Sequence, residues 1–240
     1  MQLLLLAAMT FGAAYIRGLT GFGMAIILVP LFGLIVKPGD AVVIAILLQV
    51  LIGPVGLKVI YADAHRQSAL MIAAFAMLAT PLGIWLLMHT SPDVARLIIA
   101  AIAIGAFVLV LLPQRGQLRP GPKETALTGI ASGILTGFAA MPGPPVVPFY
   151  LRQPIPPTEA RASMMLVFFA TAIAGTISSF ALGLANARLL WLSLLLFPSV
   201  LAGNWLGAKS FGRVPPNVWR SFVAAVLGVA GLSAVLRLLN

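Results

Sequence analysis

No cysteine occurs anywhere in the 240 residues, so disulfides, thiol catalysis and thiolate-held metals are excluded at once. Histidine is nearly as scarce. His65 and His89 are the only two, each in a short polar connection, which leaves almost no raw material for an imidazole metal site. Acidic residues number five, and charged residues of both signs make up 8% of the chain. A soluble domain carries about a quarter charged residues and under half apolar ones. Here 61% of residues are hydrophobic and the mean hydropathy is +1.08, so water cannot cover the folded chain and lipid must be its solvent. Catalytic patterns are missing too: no intramembrane carboxylate pair, Ser/His dyad, HExxH motif or phosphate-cradling glycine loop is present. That silence favours transport or conduction over enzymatic catalysis, with no cofactor and no metal.

What charge there is leans basic, with 15 Lys and Arg against 5 Asp and Glu, a formal +10. In a soluble protein such a balance suggests nucleic acid. Here the basic residues are scattered singly between apolar segments, the pattern of topology-setting loops, and no nucleic-acid partner is expected. Met1–Thr10 lacks a basic leader and a small-residue cleavage site, and reads as mature structure, not a removed signal.

Apolar segments recur down the chain: Met1–Val36, Ala41–Leu57, Ala69–Met88, Val94–Leu112, Thr125–Leu151, Ala162–Leu184, Leu189–Leu206 and Val218–Leu236. They lack period-2 alternation, so they predict helices, not barrel strands. A bilayer span takes roughly 20 such residues. The connection Pro113–Lys123, rich in Pro, Gly and basic residues, divides the chain into a first repeat over 1–112, a linker over 113–124 and a second repeat over 125–240.

Either side of that linker the chain repeats itself. Leu19-Thr-Gly-Phe22 recurs as Leu135-Thr-Gly-Phe138, an offset of 116. Asp40-Ala41 recurs as Glu159-Ala160 and Gly56 as Gly175, both at 119. Leu82-Gly83, Pro92, Val94 and Arg96 recur as Leu206-Gly207, Pro216, Val218 and Arg220, all at 124. Order is kept while the offset grows, as duplication with small insertions produces.

The first segment of each repeat is anomalous. As one helix Met1–Val36 would run about 54 Å, well beyond the roughly 30 Å hydrocarbon core. Its middle, Arg17-Gly-Leu-Thr-Gly-Phe-Gly23, holds three glycines and the only charge in the segment before Lys37. The second copy breaks at Met141-Pro-Gly-Pro-Pro145, where prolines remove donors and clash with the preceding turn. Each is expected to be two half-helices meeting at a non-helical tip. If all eight segments crossed, basic residues would split seven to seven. If each first segment is instead a re-entrant hairpin, Lys58, Arg66, Arg115, Arg119, Lys123, Arg152, Arg161, Lys209, Arg213 and Arg220 share one face against Lys37, Arg96, Arg188 and Arg237. Ten against four restores a positive-inside bias and puts the linker in the cytoplasm. Three crossings per repeat, an odd number, then set the copies facing opposite ways. The expected fold is an all-α integral membrane protein of two inverted repeats, each a broken re-entrant hairpin plus three transmembrane helices.

Non-helical backbone at membrane depth survives only where protein or a water-filled cavity satisfies it. A glycine-rich break bares N–H groups, and a half-helix N-terminus suits an anion. Substrate-binding candidates therefore gather at the tips: Arg17, Gly18, Thr20, Gly21, Phe22 and Gly23 in the first, Thr136, Gly137, Phe138 and Gly143 in the second. Arg17 either neutralises a ligand or anchors a helix end. The hydroxyls of Thr20 and Thr136 either bind ligand oxygens or cap freed backbone. Phe22 and Phe138 suit packing as well as recognition, and Gly143 with its prolines shapes the tip. Gln49, polar in an apolar segment, lines a path or bonds a neighbouring helix. Asp40 and Glu159 each open an apolar helix, where an acid complements the dipole, with Thr158 a natural N-cap; proton coupling is the alternative role. Asn204, between Gly203 and Gly207, reads as close helix packing.

The motifs Gly18-Leu-Thr-Gly-Phe-Gly23 with Val29-Pro30-Leu31, and Thr136-Gly-Phe138 with Gly143-Pro-Pro145, resemble the two repeat signatures of the TauE/SafE-type sulfite exporters. The likeness spans essentially the whole chain. It departs at Ala139-Ala140, where denser glycines are expected. The resemblance implies a secondary transporter, most simply an exporter, moving sulfite or an organosulfonate across the bacterial inner membrane. The alternatives are an anion channel or a transporter of another small anion. The implied partners are that anion and the bilayer, with a homo-oligomer left open.

Overall fold

The structure, a computed structural model, describes residues 2–111 and 120–210. The last apolar segment, Val218–Leu236, and most of the central linker lie outside the described residues. Among the described residues there are ten helices and no strand: α1 Gln2–Thr20, α2 Met24–Phe32, α3 Pro38–Ile52, α4 Leu57–Asp63, α5 Arg66–Met88, α6 Pro92–Leu111, α7 Pro122–Ala139, α8 Gly143–Leu151, α9 Pro157–Ala181 and α10 Ala187–Lys209.

Local chemistry accounts for many of their ends. Proline opens α3, α6, α7 and α9, where its missing N–H is no loss. Asp40, Asp93, Glu124 and Glu159 sit in first turns, complementing the dipole. Asn186 caps α10, its side chain accepting from the Leu189 N–H.

Five of these helices are long and apolar enough to cross a bilayer: Leu3–Thr20, Arg66–Met88, Pro92–Leu109, Pro157–Ala181 and Ala187–Lys209. A sixth span results if α3 and α4, bent by 84° to each other, count as one. This is a multi-pass membrane protein. Leu4, Leu78, Ile177, Trp191 and Leu195 turn large apolar side chains outward, as lipid-facing surfaces do. The interior is built around α3, whose Ala41–Leu48 run is buried on every side, and the short, apolar α2 and α8.

Lipid tails are as apolar as leucine, so close contact between small residues does much of the work of helix association. Two glycine seams supply it. On α7, Gly129, Gly133 and Gly137 lie against the backbone of Ile72, Ala76 and Thr80 on α5. On α10, Gly203 and Gly207 lie against the Phe11 and Tyr15 carbonyls of α1. A methyl at any of these glycines would overlap the facing backbone. Both seams run parallel. By contrast α3 and α9 run antiparallel: Gly39 abuts Leu184, Ile46 abuts Gly175, and Gly53 lies under the Phe169 ring.

Three details differ from the sequence expectation. The arms of each broken helix are unequal: α1 and α7 have 19 and 18 residues, α2 and α8 nine each. At 1.5 Å per residue the long arms reach about 28 Å and the short ones about 13 Å, and of the two long arms α1 is among the helices long and apolar enough to cross. The second apolar segment is not straight. Gly53-Pro-Val-Gly56 turns the chain sharply between α3 and α4, with Gly56 at φ 76°. Finally, α7 starts at Pro122, inside what composition marks as linker.

Candidate functional site

Both long arms end where the sequence loses its helix formers. α1 stops at Thr20, and Gly21 and Gly23 then adopt φ of 86° and 90°, a region glycine enters freely. The Thr20 hydroxyl lies 2.8 Å from the Ile16 carbonyl and 2.7 Å from that of Phe22, and accepts from the Phe22 N–H at 3.3 Å. α7 stops at Ala139, and Ala140 turns the chain at φ 57°, with its N–H returned to the Thr136 carbonyl at 2.7 Å. Gln49 of α3 fastens this second break, its Nε2 donating to the carbonyls of Ala45 at 3.2 Å and Ala140 at 3.1 Å. Ser132 donates to the Pro142 carbonyl at 3.1 Å.

The two breaks face each other across a small cavity of about 30 Å³. One wall is Arg17 and Phe22–Ile26; the opposite wall is Met141–Gly143; Gln49 of α3, Gly53 just past its end, and Phe168 and Phe169 of α9 close it. α2 begins at Met24 and α8 at Gly143, so the N-termini of both short helices open on this space. First-turn N–H groups have no partner within their own helix and carry the positive end of the dipole.

Arg17 is the charge in the cavity wall. It lies in the last turn of α1, and its Nη1 donates to Asn204 Oδ1 of α10 at 2.8 Å. No carboxylate among the described residues stands within ion-pair distance of it. Asn204 thus both packs, through its glycine neighbours, and orients the guanidinium. A second cation stands beside the same tip: Arg161 of α9 donates from Nη2 to the Gly18 carbonyl at 3.2 Å, and its side chain lies over Gly21.

Of the predicted residues, Arg17, Phe22, Gly23, Gln49 and Gly143 line the cavity. The others stand behind it. Thr20 ties up its own break, and Thr136 donates to the Ser132 carbonyl at 2.7 Å inside α7. Gly18 lies against the Asn204 and Ala208 backbone, Gly137 against Thr80 and Ile84, and Gly21 beneath Arg161. Phe138 is buried in the apolar core. Asp40 and Glu159 sit at the outer ends of α3 and α9, away from the cavity. Sequence reasoning missed Arg161, Gly53, Phe168 and Phe169. Arg161, near the start of a helix, looks like another loop charge until packing sets it against Gly18.

An embedded arginine, two helix N-termini turned on one space and an apolar bundle define a membrane transporter more readily than an enzyme. A profile of the TauE/SafE sulfite exporter family matches residues 6–234. The chain belongs to that family, which consists of transporters and not enzymes. It is 26% identical over 244 residues to a protein of Cupriavidus necator described as a probable sulfite/organosulfonate exporter TauE, covering 98% of this chain and 94% of the relative. No solved structure matches it.

Proposed function

We propose that the chain is a secondary transporter of the bacterial inner membrane exporting a small sulfur-containing anion, sulfite or an organosulfonate, bound between the two broken helices. One observation carries this reading: the Arg17 guanidinium, without a carboxylate partner among the described residues, lines a cavity on which two helix N-termini open. A buried cation without counter-charge is costly in lipid, and an anion offsets that cost. Sulfonate oxygens match a guanidinium fork and backbone N–H groups together. At about 30 Å³ the cavity has room for little more than one water, so the tips must part to admit substrate. That favours alternating access over a standing pore.

The two repeats are read as inverted, each with a re-entrant hairpin. Support comes from α3 and α9, equivalent by the 119-residue offset, which cross antiparallel beside the cavity. Equivalent helices meeting at a two-fold axis in the membrane plane must run oppositely; with an axis along the membrane normal they would run parallel. The seams agree: α1 packs on α10 as its equivalent α7 packs on α5. The linker then faces the cytoplasm, and Asp40 and Glu159 act as dipole partners, with proton coupling the role left to test.

Proteoliposomes loaded with labelled sulfite or sulfoacetate test the function. Saturable efflux trans-stimulated by unlabelled anion is expected, and its loss in Arg17→Gln ties it to the site. Efflux that follows membrane potential without counterflow would make the protein an anion channel. No flux and no binding of any sulfur anion would end the reading.

A further inference from the structure

We infer that Phe169, seated against Gly53, is the specificity-determining residue of the site and sets how long a carbon substituent the bound sulfur oxyanion can carry. The inference rests on the binding reading given above and narrows it. Phe168 and Phe169 of α9 both line the cavity, and their rings take different sides of it. A methyl at Gly143 would lie 3.9 Å from Phe168 Cζ, an ordinary contact at the second break. A methyl at Gly53 would instead overlap Cδ2 and Cε2 of Phe169, so the edge of that ring fills the space a side chain at 53 would take.

Backbone shape does not account for a glycine here. Gly53 has φ −56° and ψ −41°, ordinary helical values, and its N–H still donates to the Gln49 carbonyl at 3.1 Å. Gly56, later in the same bend, is the residue that turns through positive φ. The missing side chain at 53 thus serves the ring. That ring stands beside a cavity with room for little more than one water. Oxygens of a bound anion are held at Arg17 and the N-termini of α2 and α8. An apolar substituent placed against those groups would bury them without hydrogen bonds, so it turns to the apolar wall. There the Phe169 ring has the backbone at Gly53 behind it and cannot retreat. At the 119-residue offset Gly53 corresponds to Ala172 and Phe169 to Val50, so the pairing of ring and glycine stands in one copy alone.

The competing account is packing alone, with Phe169 only seating α9 on α3. Chain length at constant head group and charge separates the two. Binding of methanesulfonate, ethanesulfonate and propanesulfonate, with sulfite as a further ligand, is measured on the full-length protein in detergent. The proteins are the parent, Phe169→Ala, Phe169→Leu, Gly53→Ala and the Gly53→Ala/Phe169→Ala double variant. The parent should bind propanesulfonate about tenfold more weakly than methanesulfonate. In Phe169→Ala the order should reverse, with affinity rising about fourfold per added methylene as the freed space buries it. Phe169→Leu should lie between. Gly53→Ala, which displaces the ring, should weaken propanesulfonate most, and the double variant should regain the order of Phe169→Ala. A parent that binds the three alkanesulfonates alike, or the longest best, overturns the inference even if no variant folds. So does sulfite binding with no alkanesulfonate bound by the parent or by Phe169→Ala. Equal loss for every ligand in Phe169→Ala and Phe169→Leu overturns it in favour of packing. If the parent binds no alkanesulfonate and no sulfite, the transport reading itself falls.

Discussion

The two broken helices face one cavity but are built from different chemistry. The first break turns on two glycines of positive φ, is capped by its own threonine, and has arginines on and beside it. The second carries no charge. It turns on an alanine followed by Pro142, Pro144 and Pro145, and the carbonyl of its turning residue is tied by Gln49 of α3. They share a long arm, a break and a nine-residue arm with an internal proline, Pro30 in one and Pro148 in the other, as the proposed duplication would have it. Divergence explains the rest. The scaffold is kept in both copies, whereas charge gathers at one break and rigid apolar wall at the other.

The largest effects should come from breaking the seams that hold the breaks in place. Gly207→Leu or Gly133→Leu would push a side chain into the facing backbone, and overpacking costs roughly 1–3 kcal/mol even where neighbours can adjust. Facing backbone cannot move aside, so both variants should lose most folded protein on size exclusion in detergent. Gly105→Ala, with open space around it, should behave like the parent. If only one seam proves sensitive, the two repeats do not share their packing.

Next is Arg17. Removing a charge-assisted contact of about 1.5–3 kcal/mol should weaken sulfite binding by one to two decades in Arg17→Gln. Arg17→Lys should fall between, keeping charge without the fork. Thr20→Val should cost stability by freeing the Phe22 N–H. Thr136→Val should cost less, since its hydroxyl only back-bonds within a helix whose ladder already satisfies that carbonyl. Ligand binding together with thermal stability separates the three. Equal losses of binding in both threonine variants would restore both hydroxyls to the ligand.

These expectations mark how far residues alone reach. Both breaks could be placed from Gly21-Phe-Gly23 and Met141-Pro-Gly143, because glycine and proline act on their own backbone wherever the chain goes. Arg17 was visible as a lone charge in an apolar run. The bend at Gly53-Pro-Val-Gly56 was not placed, although its residues are turn formers, because hydropathy reads straight through it. Gly18 and Gly137 looked like ligand backbone and turn out to serve helix crossings, since one residue type meets both needs. Arg161 stayed hidden because its partner, the Gly18 carbonyl, lies 143 residues away. Local pattern cannot rank contacts made only by the fold.

Gln49 offers a finer cut between the breaks. Gln49→Leu removes the donor to the Ala140 carbonyl, and a buried acceptor left without its partner costs about 1–3 kcal/mol. The loss should appear as lower thermal stability and looser binding, with the second break no longer held. Unchanged binding would show that the second break is a passive wall.

The smallest expected effect is also the most direct comparison of the two turns. Ala140 occupies the left-handed region at φ 57°, where Gly21 and Gly23 sit at the matching first break. A side chain there costs roughly 1–2 kcal/mol. Glycine removes that strain but loosens the unfolded chain, giving back about 0.4–1 kcal/mol. The balance favours Ala140→Gly by a few tenths to about 1 kcal/mol. Its melting temperature should rise slightly, and Gly23→Ala, which has room for the methyl but the wrong φ, should lower it. Both shifts are read on detergent-purified protein without ligand. If alanine at 140 stiffens the wall opposite Arg17, the glycine variant will also bind sulfite more weakly despite its higher melting point. A lower melting point for Ala140→Gly would mean that the second break does not turn through the left-handed region, and the likeness of the two breaks would end at their positions in the chain.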